Sequence, residues 1–177
     1  MSAWDEKTAQ GYAERYGDDP SIFAVLDALK IGAEARVLDI GCGTGSALRA
    51  LENGQRQLTG VDPTARMIEI ACAAGGGAYQ VAGAEDLPFE AAAFDVVLAI
   101  NSIHHWDDLM AGLNEVVRVL SPGGMLVVGG EIMDAEMLPE GQDYSAPLRA
   151  AGFTRQRHDQ LAKAFIQTAL KPEVAHV

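Results

Sequence analysis

From Arg36 onward, short apolar runs alternate with stretches whose apolar positions recur at helical spacing. That alternation predicts βα units around a mostly parallel sheet covered on both faces. Arg36 to Ile40 and Gln57 to Val61 read as the first two strands, and Ala78 to Ala82 as a third, weak one, because its small residues favour strands poorly. Phe94 to Ile100, FDVVLAI, is almost unbroken and apolar, as a central strand buried on both faces requires. Met125 to Gly129 reads as the fifth strand. The helices fall between them: Ser46 to Asn53, Thr64 to Ala74 behind Pro63, Asp107 to Leu120 with apolar residues at 109, 113, 116, 117 and 120, and Tyr144 to Ala151.

Phe153 to His158 and Lys163 to Leu170 form a last pair of strands, joined by a link too short for a crossover helix and therefore antiparallel. Ahead of the sheet, Asp5 to Tyr16 and Ser21 to Leu29 read as two helices meeting at Gly17 to Pro20. No repeat, linker or composition break appears. The expectation is one domain over 1–177, with N-terminal helices in 1–34 and an α/β core in 35–177.

Charge narrows the function. The 177 residues carry 25 acidic and 13 basic side chains, a formal charge of −12, with no basic stripe. Such a surface repels a polyanion, which argues against nucleic acid as a partner. No apolar run is long enough to span a bilayer, so no membrane role is expected, and the amino terminus lacks the apolar core of a signal peptide. Cys42 and Cys72 are too few for a disulfide scaffold or a structural zinc site, which fits a reducing, cytoplasmic setting.

The chemistry concentrates at Val37 to Gly45, VLDIGCGTG, between a strand and a helix start. Gly41, Gly43 and Gly45 allow a tight turn and close approach of a ligand to backbone, and the helix behind them offers free N–H groups. Asp62 closes the next strand, where a carboxylate can accept from both hydroxyls of a ribose. Glycine loop and acidic residue together indicate a nucleoside-bearing ligand.

With these segments the chain resembles the class I S-adenosylmethionine-dependent methyltransferases of the type 11, ubiquinone-biosynthesis-like group. The resemblance runs through VLDIGCGTG, VDPTARMI, AEDLPFEAAAFDVVLAINSIHHW and EVVRVLSPGGMLVV, covering residues 36–130. It implies a three-layer, Rossmann-like α/β sandwich whose seven-stranded sheet runs 3-2-1-4-5-7-6 with strand 7 antiparallel. It implies S-adenosyl-L-methionine as cofactor. Asp39 and the backbone of Gly41, Cys42 and Gly43 would hold its methionine end, and Asp62, followed by Pro63, its ribose hydroxyls. Met67 would pack on the adenine, with Ala84, Glu85 and Asp86 at its edge, and Asn101 and Ser102 along the methionine side. Tyr12 and Tyr16 would close over the site.

One departure stands out. Where the family commonly has Gly-Asp-Ala, this chain has Ala82, Gly83 and Ala84, so the carboxylate that accepts from the adenine amine is missing, at a cost of roughly 1 to 3 kcal/mol unless Glu85 or Asp86 replaces it.

The implied reaction is in-line attack of an acceptor atom on a sulfonium methyl with S-adenosylhomocysteine leaving, so the protein chiefly supplies positioning. For a hydroxyl or acidic-carbon acceptor, His104 or His105 could take the proton; the same His-His-Trp segment would equally serve to pack Trp106 over the sheet. Two other readings compete. A NAD-dependent dehydrogenase would also use a glycine turn and Asp62, but this loop is GxGxG, not GxGxxG, and the chain ends in an antiparallel pair. A non-catalytic cofactor binder is suggested by the short stretch Ile132 to Ala151, broken at Pro139, Gly141 and Pro147, which leaves little roof. The N-terminal helices, the second subunit of a homodimer, or nothing would then cover a small-molecule acceptor.

Overall fold

The computed structural model describes residues 4–131, 143–162 and 164–173; Ile132 to Gln142, with Pro139 and Gly141, lies outside them, as do Lys163 and the side chain of Tyr16. Two helices come first, α1 (Glu6–Tyr16) and α2 (Pro20–Asp27). Then follow β1 (Arg36–Ile40), α3 (Ser46–Leu51), β2 (Gln57–Asp62), α4 (Ala65–Ala74), β3 (Ala78–Val81) and β4 (Phe94–Ile100). A single 3₁₀ turn at Ile103–His105 leads to α5 (Leu109–Val119), β5 (Leu120–Glu131), α6 (Ser145–Ala150), β6 (Thr154–Gln160) and β7 (Ala164–Leu170). The strands form one seven-stranded sheet in the order β3-β2-β1-β4-β5-β7-β6. Pairings are parallel from β3 to β5, whereas β7 runs antiparallel to both β5 and β6.

Alternation along each central strand feeds two cores. Leu38, Ile40, Val97, Ala99, Leu126 and Val128 face α5 and α6 on one side. Val37, Val96, Leu98, Ile100 and Val127 face α2 and α3 on the other. The uninterrupted apolar run of β4 is thus explained: both of its faces are covered, and every residue but Asp95 is buried. Asp95 carries its charge out at the strand's start, where the Arg36 guanidinium pairs with it at 2.7 Å.

Differences from the sequence-based boundaries have local causes. The Asp5 carboxylate accepts from the Thr8 N–H and caps α1, and Pro20 occupies the first turn of α2 behind the Asp19 cap. Helix α3 ends at Leu51 because the Asn53 side-chain oxygen accepts from the N–H groups of Gln55 and Arg56, closing a turn. Strand β5 begins at Leu120, five residues ahead of Met125: the pairing with β4 starts at Phe94 and Leu120, breaks, and resumes at Val96 and Met125. A turn-like Ser-Pro-Gly-Gly is therefore carried inside an irregular strand.

Trp106 is packed into the core against Gly112 of α5, as the packing role of the His-His-Trp segment requires. A Cβ at Gly112 would fall 2.4 Å from the indole. Glycine in a helix ordinarily costs about 1 kcal/mol relative to alanine, but overpacking costs about 1 to 3 kcal/mol and wins here. Gly112→Ala is therefore expected to lower the thermal midpoint; a rise would show that the indole can move aside.

Candidate functional site

The crevice opens at the carboxyl ends of β1 and β4, neighbours whose onward connections leave in opposite directions, where open α/β sheets place their ligands. Its floor is the turn after β1. Gly41, Gly43 and Gly45 all have left-handed φ, at 72°, 50° and 81°. The N–H groups of Gly41 and Cys42 both donate to the Val61 carbonyl, at 2.8 and 3.0 Å, tying the loop to the end of β2. Asp62, the last residue of β2, completes the junction: one carboxylate oxygen accepts from the Gly43 N–H at 3.1 Å and the other from the Thr64 N–H at 2.8 Å. Each oxygen keeps lone-pair capacity for a further donor.

Asp39 differs. It is 3% exposed, and no hydrogen-bond partner of its carboxylate is found among the described residues. Burial first, and then the neighbouring Asp62 charge, push it up to about 7. Burial also raises Asp62, partly offset by the Thr64 and Gly43 N–H groups. Burial and the two carboxylates keep the Cys42 thiol protonated, so Cys42 acts as a small apolar filler on Gly60.

Two adjoining compartments, both open to solvent, meet over this floor. Tyr12, Gly41, Gly43 and Asn101 border both. The first holds Asp62, Thr64, Met67, Ser102, Trp4 and His105. The second holds Asp39, Cys42, Thr44 and Ile22. Among the described residues, no Lys or Arg lines either compartment.

The N-terminal helices form the upper wall. The Trp4 backbone N–H donates to the Thr64 hydroxyl at 3.1 Å, and the indole stands edge-on to Tyr12 and to His105. The Thr44 and Ser46 hydroxyls both donate to the Gly17 carbonyl, stapling the α1–α2 corner to the glycine loop. Asn101 sits at φ 53°, a conformation asparagine tolerates better than most residues. Its side chain is a strut: the amide nitrogen donates to Ser21 at 2.9 Å and the oxygen accepts from the Glu131 N–H at 2.8 Å.

Of the residues singled out from sequence, Asp39, Gly41, Cys42, Gly43, Asp62, Met67, Asn101, Ser102, His105 and Tyr12 converge on the crevice. The Ser102 hydroxyl is spent on the Ile40 carbonyl at 2.6 Å. Pro63 shapes the turn between two lining residues without lining the crevice itself. Ala84 is fully buried in the core, the Glu85 carboxylate accepts from the Asp107 N–H at 2.8 Å, and Asp86 is exposed; none of the three lines either compartment. His104 lies against His105, with ring centres 4.0 Å apart and planes tilted by 48°, but is also outside the lining. Burial holds both imidazoles below their ordinary range, His104 at about 4, so both are neutral at pH 7. Tyr16 ends α1, and its side chain is outside the described part. Sequence reasoning missed Trp4, Thr44 and Thr64; an aromatic just ahead of a capping Asp5 was the available signal for the first.

Comparison with known proteins agrees with this geometry. An O-methyltransferase resE from Aspergillus sclerotiorum is 40% identical over 115 residues, which cover 60% of this chain and 44% of that protein. A 27-O-demethylrifamycin SV methyltransferase from Amycolatopsis mediterranei is 30% identical over 162 residues, covering 76% of this chain and 60% of the relative. The chain thus spans about half the length of the curated relatives it matches. Among solved structures, a SAM-dependent methyltransferase from Thermotoga maritima superimposes with a TM-score of 0.73 at 25% identity, over 94% of this chain and 97% of that one. The pattern of the family described as Methyltransferase domain matches residues 38–128, more than half of the sequence, and the chain belongs to that family.

Proposed function

We propose that this chain binds S-adenosylmethionine and transfers its methyl group to a hydroxyl-bearing small molecule. The observation that carries the reading is Asp39: its carboxylate, on a buried residue with no hydrogen-bond donor among the described residues, opens on the second compartment, where a ligand ammonium beside the glycine loop supplies a cation. The two compartments suit the two ends of that cofactor. Asp62 accepts from the ribose hydroxyls with its free lone pairs, and Met67 packs against the adenine. When bound, the cofactor supplies a methyl already activated on a sulfonium. A dinucleotide is disfavoured, since its pyrophosphate would face Asp39 and Asp62 in a crevice to whose lining the described residues contribute neither Lys nor Arg.

The names of the O-methyltransferase relatives support an oxygen acceptor, and the −12 charge argues against nucleic acid. A hydroxyl must lose its proton as it attacks. His105 is the histidine that reaches the crevice, and its neutral imidazole can accept that proton at pH 7. His104 stands behind it. The N-terminal wall of Trp4 and Tyr12 excludes water from the reacting end.

Calorimetric titration tests the cofactor first. Micromolar binding of S-adenosylmethionine and S-adenosylhomocysteine with none of NADH is expected, and the absence of any binding would overturn the reading. Asp62→Ala removes acceptors for two hydroxyls and should weaken S-adenosylhomocysteine about tenfold to several-hundredfold; unchanged affinity would refute the ribose assignment.

Asp39 makes binding pH-dependent. Its ionised form is the one that meets an ammonium, so affinity should fall by about tenfold per pH unit below about pH 7. Stability of the unliganded protein runs the other way: between the ordinary 3.8 and about 7 the folded state holds a proton that the unfolded chain has lost, so stability drops as pH rises through that window. Asp39→Asn should therefore raise the unliganded melting point at pH 8 while abolishing cofactor binding. A loss of both would mean that Asp39 is structural.

With an acceptor in hand, His105→Gln is expected to lower kcat by about 10²- to 10⁴-fold while changing S-adenosylhomocysteine affinity by less than about tenfold. Equal losses in both would make His105 a binding group only.

A further inference from the structure

The edge strand β3 is exposed at Ala78, Gln80 and Val81, and only Tyr79 turns inward. Tyr79 stands opposite Gly60 in the β2–β3 register, and its ring lies across that glycine. A Cβ at Gly60 would fall 2.7 Å from the ring, and a Cβ at Gly45 would fall 2.5 Å from the phenol oxygen. The hydroxyl donates to the Gly75 carbonyl at 2.9 Å, at the end of α4. One side chain thus touches the edge of the sheet, the exit of α4 and the last glycine of the crevice floor. Cys42, from the same loop, packs on the other flank of Gly60, with its sulfur 2.9 Å from where a Cβ would be.

We propose that Tyr79 is a positioning residue for the cofactor loop, holding Gly41 to Gly45 in their binding geometry from beneath. The physical reason is that the loop's other ties run through Thr44, whose hydroxyl donates to Gly17 and whose carbonyl accepts from Arg49, and leave the glycines themselves to be packed from beneath. The loop's three glycines are all in left-handed conformations, have no side chains to pack, and are fixed by backbone bonds alone save one: to Val61, to Asp62, within the turn from the Gly45 N–H to the Cys42 carbonyl, and from the Arg49 N–H to the Gly45 carbonyl. Loops of that kind are mobile unless packed, and ordering them on binding subtracts from affinity. Tyr79 fills the space that two missing side chains leave, one on the loop and one on β2. Burial raises the phenol to about 12, so it remains a donor to Gly75 throughout the working range of pH. Among residues of the loop's underside, Tyr79 contributes packing without lining either compartment. It therefore acts through the loop and not on the ligand.

This inference rests on the cofactor reading above, but its test has one arm that does not. Amide hydrogen exchange of the unliganded protein reads the loop directly, and S-adenosylhomocysteine titration reads its consequence. Tyr79→Leu is expected to accelerate exchange at Gly43 and Gly45 and to weaken S-adenosylhomocysteine about tenfold. Tyr79→Phe keeps the ring on Gly45 and Gly60 and should hold affinity within about threefold. Leu148→Ala, in the opposite core under α6, should lower the melting point without changing either readout.

Wild-type loop exchange in Tyr79→Leu, or a loss of affinity in Leu148→Ala equal to that of Tyr79→Leu, overturns the proposal. Should Tyr79→Leu fail to fold, Tyr79→Met, which retains length, takes its place. Should the unmodified protein bind no S-adenosylhomocysteine, the functional reading fails, and the exchange arm alone decides on Tyr79.

Discussion

Two buried carboxylates under one glycine turn set the terms for the rest of this molecule. Asp39 is the penultimate residue of β1, close enough to Asp62 to feel its charge, and burial raises both. The loop's N–H groups stabilise only one of them. Asp62 receives Gly43 and Thr64, whereas Asp39 receives nothing from the described residues. A hydrophobic filler at position 39 would give a more stable empty protein, since an unpaired buried charge costs more than it returns. The arrangement makes sense for a site that is completed by a cation from outside, and among the described residues no Lys or Arg lines it.

Such a site works only if the carboxylates cannot relax outward, and the framework sees to that. Strands β1 and β4 are the two at the sheet's switch point, and both are covered on both faces. The rim is braced from three directions. Asn101 ties β4 to α2 through Ser21 and to the end of β5 through the Glu131 N–H, in a left-handed conformation that leaves no room for a side chain at Gly130. Thr44 and Ser46 bind the α1–α2 corner. Tyr79 supports the floor from the edge strand. Stiffness at the rim lowers the ordering cost of binding, and it is concentrated in a few side chains, each of which reaches across elements.

Much of this was legible in the sequence because the signals were local. The apolar run of β4, the glycine turn and Asp62 each declare themselves within a few residues, and the strand order followed from the resemblance they carried. What was not legible depends on partners distant in the chain. Nothing in Ser-Pro-Gly-Gly announces that it continues β5, since its place is set by a broken register against Phe94 and Val96. Tyr79 looked like one residue in a weak strand, and its importance comes from glycines at 45 and 60. Trp4 precedes the first helix and reads as a stray aromatic until Thr64, sixty residues on, accepts its backbone N–H and its ring meets His105.

The departure at Gly83 now has a geometry. A Cβ there would fall 3.0 Å from a Glu85 carboxylate oxygen, so Glu85 leans into the space that a side chain at 83 would occupy. Its other oxygen is engaged with the Asp107 N–H ahead of α5. A carboxylate therefore does stand near the vacated position, but it is committed to holding the 3₁₀ turn and α5 together, and it does not line the first compartment. On the reading proposed above, selectivity then shifts away from the base. The polar contacts lie at the ribose and amino-acid ends, through Asp62 and Asp39, while the adenine end is met by Met67. Packing discriminates less sharply than hydrogen bonds, because a mismatched base edge leaves no buried partner unsatisfied. A crevice built this way distinguishes its ligand by charge and sugar first, and by the identity of the base last.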